Sequence, residues 1–152
     1  MSEIRIVPLE PRHRADWERL YAGYAEFYRV AQTPEMRARV WAWILDPAHE
    51  TEALIAEDAA GRAVGLAHFR AFARPLSATT GGFLDDLFVD PQMRGKGVAD
   101  ALLAALAAEA RTRGWSVVRW ITAEDNSRAR AVYDRTAKLT AWRMYDMPPA
   151  QG

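Results

Sequence analysis

The chain has 152 residues, 50% hydrophobic and 26% charged, and its acidic and basic side chains cancel to a formal charge of zero. That length supports one core of ordinary size rather than two, and the balanced charge excludes the basic field of a general nucleic-acid or anionic-membrane binder. Cysteine is absent, which removes disulfides, thiolate metal sites and a cysteine acyl-enzyme together.

Glu3 to Val7 alternates apolar and polar side chains and is stopped by Pro8, which predicts a short first strand. From His13 to Arg29, the residues Trp17, Leu20, Tyr21, Tyr24 and Phe27 recur at helical spacing and form one aromatic stripe. A second helix is predicted from Pro34 to Leu45, closed by Asp46-Pro47. Thr51 to Glu57 and Arg62 to Phe72 read as strands joined by a tight reversal at Asp58-Ala59-Ala60-Gly61. The polar, glycine-containing stretch from Ser77 to Gly82 reads as a break before a strand from Phe83 to Val89, which Pro91 closes. Gly97 to Arg113 is the best helix, with Val98, Ala101, Leu102, Ala105 and Leu106 on one face and Gly114 placed for a C-terminal cap. A strand from Trp115 to Thr122, a helix from Asn126 to Ala137 and a strand from Thr140 to Met147 follow, with 148–152 as a frayed tail. This order predicts an α/β (α+β) domain over residues 1–147 built around one sheet. No segment reaches bilayer-spanning length and no charged stretch followed by an apolar run opens the chain, so a cytoplasmic location is the expectation.

Chemistry concentrates after the fourth strand. Leu87-Phe88-Val89-Asp90-Pro91-Gln92-Met93-Arg94-Gly95-Lys96-Gly97-Val98-Ala99 reads as a buried strand, a basic turn with two glycines, and a helix start. Glycines let the backbone approach a ligand, the first amides of the helix are unpaired, and Arg94 and Lys96 add full charges beside them. Such a turn suits a pyrophosphate. A Gly-x-Gly turn alone is a weak signal, and two better-known phosphate motifs do not fit. Walker A needs Ser or Thr directly after Gly-Lys, and the dinucleotide fingerprint needs a third glycine where Asp100 stands.

Arg94-Gly95-Lys96-Gly97-Val98-Ala99 resembles the Arg/Gln-x-x-Gly-x-Gly/Ala signature of GNAT acetyltransferases, with Arg94, Gly97 and Ala99 on its defined positions. Asn126-Ser127-Arg128-Ala129-Arg130-Ala131-Val132-Tyr133 is similar to the same family's Asn-x-x-Ala-x-x-x-Tyr helix, and its spacing puts Asn126, Ala129 and Tyr133 on one face. By itself that helix reads more simply as a capping Asn126 and a core Tyr133, and only together with the glycine turn is that preference reversed. Asp86-Leu87-Phe88-Val89 with Thr122-Ala123-Glu124-Asp125-Asn126 looks like the branch that includes yeast histone and polyamine acetyltransferase-like proteins. The match is best from Phe83 to Tyr133, and Ala141-Trp142 stands where members often carry Gly-Phe. The resemblance implies a mixed, mostly antiparallel sheet of about six to seven strands flanked by about four helices. It implies acetyl-CoA as cosubstrate, with its pantetheine arm along Leu87, Phe88 and Val89, its pyrophosphate on Gly95, Lys96, Gly97, Val98 and Ala99, and the acetyl carbonyl near the amide of Phe88 or Val89. It also implies direct attack by the amine in a ternary complex and a homodimer.

Acetyl transfer needs a neutral amine, a polarised thioester and a proton for the departing thiolate. A phenol titrating near roughly 10 can protonate a thiolate whose conjugate acid lies near about 8.5 as the charge develops, which makes Tyr133 the general acid. For the base, Asp85, Asp86, Glu124 and His68 are candidates; strict strand alternation would send at most one of Asp85 and Asp86 into the acceptor cleft. Tyr24 and Tyr28, with His68, are the acceptor-site candidates, although an aromatic stripe is more often core. The histidines at 13, 49 and 68 lack ligand spacing, so no metal is expected. The expected partner is a small or peptide-borne amine, not a nucleic acid or a membrane. Two other classes are compatible with the turn: an idle acyl-CoA-binding domain, against which Tyr133 argues, and a nucleotide-binding α/β domain.

Overall fold

In the computed structural model, which describes residues 3–152, the first alternating segment forms strand β1, Arg5–Pro8. A single 3-10 turn, Pro11–His13, leads into helix α1, Arg14–Phe27, and helix α2 follows at Pro34–Leu45. Strands β2, Glu52–Glu57, and β3, Ala63–Arg74, make a hairpin, β4 is Thr79–Val89, α3 is Val98–Arg113, and β5 is Val118–Arg119. These elements lie in one compact unit, Met1–Ile121, and helix α4, Ser127–Thr136, lies in a second, Thr122–Gly152.

The sheet runs β1-β2-β3-β4-β5, antiparallel through β4 and parallel between β4 and β5. The expected mixed, mostly antiparallel sheet is therefore present, with five strands rather than six to seven among the described residues. Three differences from the sequence reading have physical causes. The stretch from Ser77 to Gly82, read as a break, is mostly strand: Thr79 to Gly82 pair with Arg74 to Ala71. Its glycines serve close approach, since a Cβ on Gly82 would lie 2.4 Å from the Trp115 ring and one on Gly81 2.8 Å from Phe72. The strand expected from Trp115 to Thr122 shrinks to two residues, because β5 pairs β4 only at Gly82 and Phe83. The strand expected from Thr140 to Met147 does not form; within its own unit the only regular element is α4, and a strand needs an edge to pair with.

Each face of the sheet is closed by apolar side chains that the helical period selects. Val98, Leu102, Leu103, Leu106 and Ala110 form the buried face of α3. It comes close at Gly65, where a Cβ would lie 3.0 Å from Val98. On the other face, Trp17 and Leu20 of α1 and Trp41 of α2 join Ile55, Leu66 and Phe88 in one core cluster. The predicted cap is in place, with Gly114 at φ +72° at the end of α3, and Thr33 accepts from Met36 N at the start of α2.

A buried carboxylate ties β1 to β2. Glu57 accepts from His13 Nε2 at 2.7 Å and from Arg5 at 2.9 Å, and Arg12 lies 2.6 Å from its second oxygen. The Glu10 amide donates to His13 Nδ1, which fixes the proton on Nε2. The His13 donor, then Arg12 and Arg5, hold Glu57 at about 2 against an ordinary value of 4.5. A depressed acid stabilises the fold fully above its unfolded pKa, and that contribution disappears as pH falls through its folded one. Urea melts of wild type should lose stability between about pH 4.5 and about pH 2, and Glu57→Gln should be less stable at neutrality and flatter across that window. Parallel curves for the two proteins would remove Glu57 from the acid response.

Candidate active site

Helix α1 sets Trp17, Tyr21, Tyr24 and Tyr28 along one face, with ring centroids 5.4, 6.0 and 4.9 Å apart in succession. This row faces β3 and β4. The register of β3 and β4 pairs His68 with Asp86 and Phe69 with Leu84, so Asp85 is an extra residue, a β-bulge. Strict alternation would part the two aspartates, and the bulge overrides it. His68 and Arg70, two residues apart on one face of β3, each take a carboxylate. Asp86 Oδ2 lies 2.8 Å from His68 Nδ1, and Asp85 accepts from Arg70 Nε at 3.0 Å.

The proton positions on the inner pair follow from the donors. An indole N–H can only donate, and Trp17 Nε1 gives its hydrogen to His68 Nε2 at 2.9 Å. His68 is thus neutral with its proton on Nδ1, which donates to Asp86. The Tyr21 hydroxyl donates to the same oxygen at 3.0 Å, and the Tyr24 hydroxyl also bonds to this carboxylate. Trp17 is 0% exposed and His68 2%. Burial pushes Asp86 up, but the His68, Tyr21 and Tyr24 donors outweigh it and leave it below the ordinary carboxylate value. Asp85 moves the other way, raised by partial burial and the Asp86 charge against the opposing Arg70. Burial and the charge of Asp86 raise Tyr21 and Tyr24 well above the ordinary phenol.

Past Phe83, β4 has a ladder partner only on the β3 side, so the edge carrying Leu87, Phe88 and Val89 is open toward β5. Phe88 is buried in the core cluster and Leu87 and Val89 are half-buried. After Pro91 the chain turns through Gly95 at φ +77° and Gly97 at φ +79°, conformations that side chains with a Cβ rarely adopt. A Cβ on either glycine would meet nothing within 4 Å, so bare backbone borders open space. Gly97 is the N-cap of α3 and has no side chain to bond the amides that follow, Val98 and Ala99 among them. Lys96 is exposed beside them, and the Arg94 guanidinium lies 5.8 Å from the centre of the Phe27 ring. Two left-handed glycines, uncapped amides and two cations fit an anionic group of pyrophosphate size.

In the second unit, Asn126 is the N-cap of α4 and its Oδ1 accepts from Ala129 N at 3.3 Å. Tyr133 and Ala129 are half-buried on the same helix. Glu124 is exposed ahead of it, with its carbonyl accepting from Arg130 at 2.8 Å.

The structure therefore gathers Tyr24, His68, Asp85 and Asp86, with Tyr28 next in the row, and separately the turn from Leu87 to Ala99. Sequence reasoning placed Trp17 and Tyr21 in the core stripe and missed their hydrogen bonds to the His68–Asp86 pair. The available signal was their spacing of four on a helix, which aims one indole N–H and one phenol along the same line.

Comparison with known proteins agrees with this geometry. The chain is 27% identical to the D-amino-acid N-acetyltransferase HPA3 of Saccharomyces cerevisiae over 145 residues, covering 95% of this chain and 90% of the relative. It resembles a ribosomal-protein-alanine N-acetyltransferase from Brucella melitensis biovar Abortus with a TM-score of 0.80 and 26% identity, over 96% of this chain and 99% of that one. The aminoglycoside N-acetyltransferase AAC(6')-Iy, solved in complex with CoA, shares the fold with a TM-score of 0.84 at 20% identity, over 99% and 97% of the two chains. With the sequence pattern of the Acetyltransferase (GNAT) family matching residues 17–137, the bulged strand and the two-glycine turn find their place: the chain belongs to the GNAT acetyltransferase family.

Proposed function

We propose that the amine acceptor binds against α1, β3 and β4, with Asp86 as the fixed counter-charge for its ammonium and Tyr24 and Tyr28 as its wall. As a GNAT family member the chain is an acetyl-CoA-dependent N-acetyltransferase, and the proposal concerns which residues serve that reaction. The observation that carries it is a carboxylate held ionised by three donors on a strand whose other edge is open and leads into a turn suited to a diphosphate.

In this reading the amides of Gly95, Lys96, Gly97, Val98 and Ala99, with Arg94 and Lys96, hold the pyrophosphate of acetyl-CoA. Leu87, Phe88 and Val89 line its pantetheine arm, with Asn126 and Ala129 of α4 on the cosubstrate as well. The ammonium arrives charged, since a primary amine titrates near about 10, and Asp86 binds it in that form. Asp85 is the more basic of two acids whose environments push them apart; it takes one proton from the ammonium, which frees the lone pair that attacks the carbonyl, and the nitrogen gives up a second proton to water as the tetrahedral intermediate collapses. The carbon–sulfur bond breaks, Tyr133 gives its proton to the sulfur, and the phenolate recovers one from water. Two protons thus leave nitrogen: one is balanced by the proton that reaches sulfur, and the other passes to solvent. Glu124 stays a reserve acid at the end of the segment before α4. His68 contacts Asp86 rather than the acceptor.

The acceptor class is a small or peptide-borne primary amine, as the names of the yeast and Brucella relatives support. The same reading takes residues 1–147 as one catalytic domain, since the family pattern spans both compact units, acting as a cytoplasmic homodimer. Among the described residues no helix is long and apolar enough to cross a membrane.

Four substitutions test the assignments. Gly97→Val should weaken acetyl-CoA binding by at least about tenfold in calorimetry while the circular dichroism spectrum is retained; unchanged affinity would dislodge the pyrophosphate from this turn. Tyr133→Phe should lower kcat by about 100-fold with acetyl-CoA affinity nearly constant, and a wild-type kcat would remove the phenol from the reaction. Asp86→Asn should raise KM for the amine by about tenfold or more, whereas Asp85→Asn should act on kcat; the reverse pattern would exchange their roles. An amine panel scored by coenzyme A release supplies the substrate, and binding of acetyl-CoA with no turnover on any amine would favour an idle acyl-CoA-binding domain.

A further inference from the structure

We propose that Trp17 is a positioning residue: its indole N–H fixes His68 as the neutral Nδ1–H tautomer, so His68 can only donate to Asp86 and is barred from taking the acceptor's proton. This deepens the acceptor-site reading above and rests on it for the role of Asp86, but the tautomer itself stands on geometry.

The chain of contacts is directional. Trp17 Nε1 lies 2.9 Å from His68 Nε2, His68 Nδ1 lies 2.8 Å from Asp86 Oδ2, and every atom of the first pair is buried. An imidazolium would carry a hydrogen on Nε2 as well, aimed at the indole hydrogen across that 2.9 Å. It could form only if the two rings parted, leaving a buried donor unpaired on each. Trp17 has little room to yield. Its ring centroid lies 5.2 Å from Trp41, 5.4 Å from Tyr21 and 6.0 Å from His68, on a helix whose neighbouring turn places Leu20 in the same core.

The charged and titratable groups around His68 would otherwise favour its protonation. Asp86 faces it from β4 with Asp85 beside it, Tyr21 of α1 sits edge-on at 4.6 Å, and β2 presents only Ala53 across the ladder. A histidine next to a carboxylate without an opposing donor gains a proton readily, forming an ion pair that would cancel the charge offered to the acceptor. The indole N–H blocks that outcome. Asp86 therefore presents a full negative charge to the acceptor across the neutral pH range, and the proton released by the amine is directed away from the imidazole.

The test begins with nitrogen-15 NMR of histidine-labelled wild-type protein between about pH 5.5 and about pH 8.5, which needs no acetyltransferase activity. His68 should show a protonated Nδ1 and a bare Nε2 throughout; an Nε2–H tautomer or a second ring proton would overturn the proposal. Trp17→Phe keeps an aromatic ring in the core and removes the donor along with part of the indole volume. In it, Nε2 of His68 should carry a hydrogen at the acid end of that range, and KM for the amine relative to wild type should climb from near unity at about pH 8 to about fivefold at about pH 6. A constant ratio across pH would make Trp17 a packing residue only. His68→Asn, whose Nδ2 can replace Nδ1 as the donor to Asp86 and which has no titrating group, should give an amine KM ratio to wild type that is the same at about pH 6 and about pH 8, and in the Trp17→Phe background it should abolish the pH-dependent rise. A His68→Asn variant with lost turnover and unchanged KM would instead make the imidazole a proton carrier. If Trp17→Phe does not fold, the wild-type tautomer still decides.

Discussion

One buried line of hydrogen bonds, from the Trp17 indole through the His68 imidazole to the Asp86 carboxylate, joins the first helix to the two central strands. Each group in it is polar and costly to leave unpaired in the interior, and each is satisfied by the next. That requirement constrains how α1 can lie on the sheet, because a rotation of the helix would break the indole contact before it disturbed the apolar core. The aromatic row on α1 then falls over β3 and β4, and the phenols of Tyr21 and Tyr24 converge on the same carboxylate. Packing and site are one arrangement.

The molecule uses the same pairing twice with opposite tautomers. His13 accepts a backbone amide at Nδ1 and donates from Nε2 to Glu57, while His68 accepts an indole at Nε2 and donates from Nδ1 to Asp86. In both, a neighbouring donor decides which nitrogen keeps the hydrogen. The first pair, with two arginines on the carboxylate, is enclosed and ties β1 to the sheet. The second has phenols in place of arginines, so its carboxylate keeps a charge that arginines would have neutralised.

Periodicity made most of the architecture readable in advance. Helix α2 and the cap at Gly114 follow from local chemistry, as does the Asp58–Gly61 reversal, where Asp58 Oδ1 takes the amides of Ala60 and Arg62. The two-glycine turn was legible for the same reason, since left-handed backbone demands glycine. Features set by distant partners were not. Gly81 and Gly82 look like a break in a one-dimensional pattern, yet they exist to admit Phe72 and Trp115. Thr140 to Met147 has a strand's composition, but composition cannot supply an edge to pair with. The extra residue at Asp85 is invisible because a bulge is a relation between two strands, and the alternation rule assumes it away.

That extra residue has a further consequence. Register is regular on both sides of it, with Phe83 and Phe88 on the same face although five positions apart, which unbroken alternation forbids. A chain lacking Asp85 alone would preserve every other side-chain orientation in β4 and straighten the strand. An inserted codon is thus enough to set a second acid beside the His68–Asp86 pair. Shortening the strand by one residue would take away that acid and leave Arg70 without its carboxylate, while the ladder to β3 stayed whole.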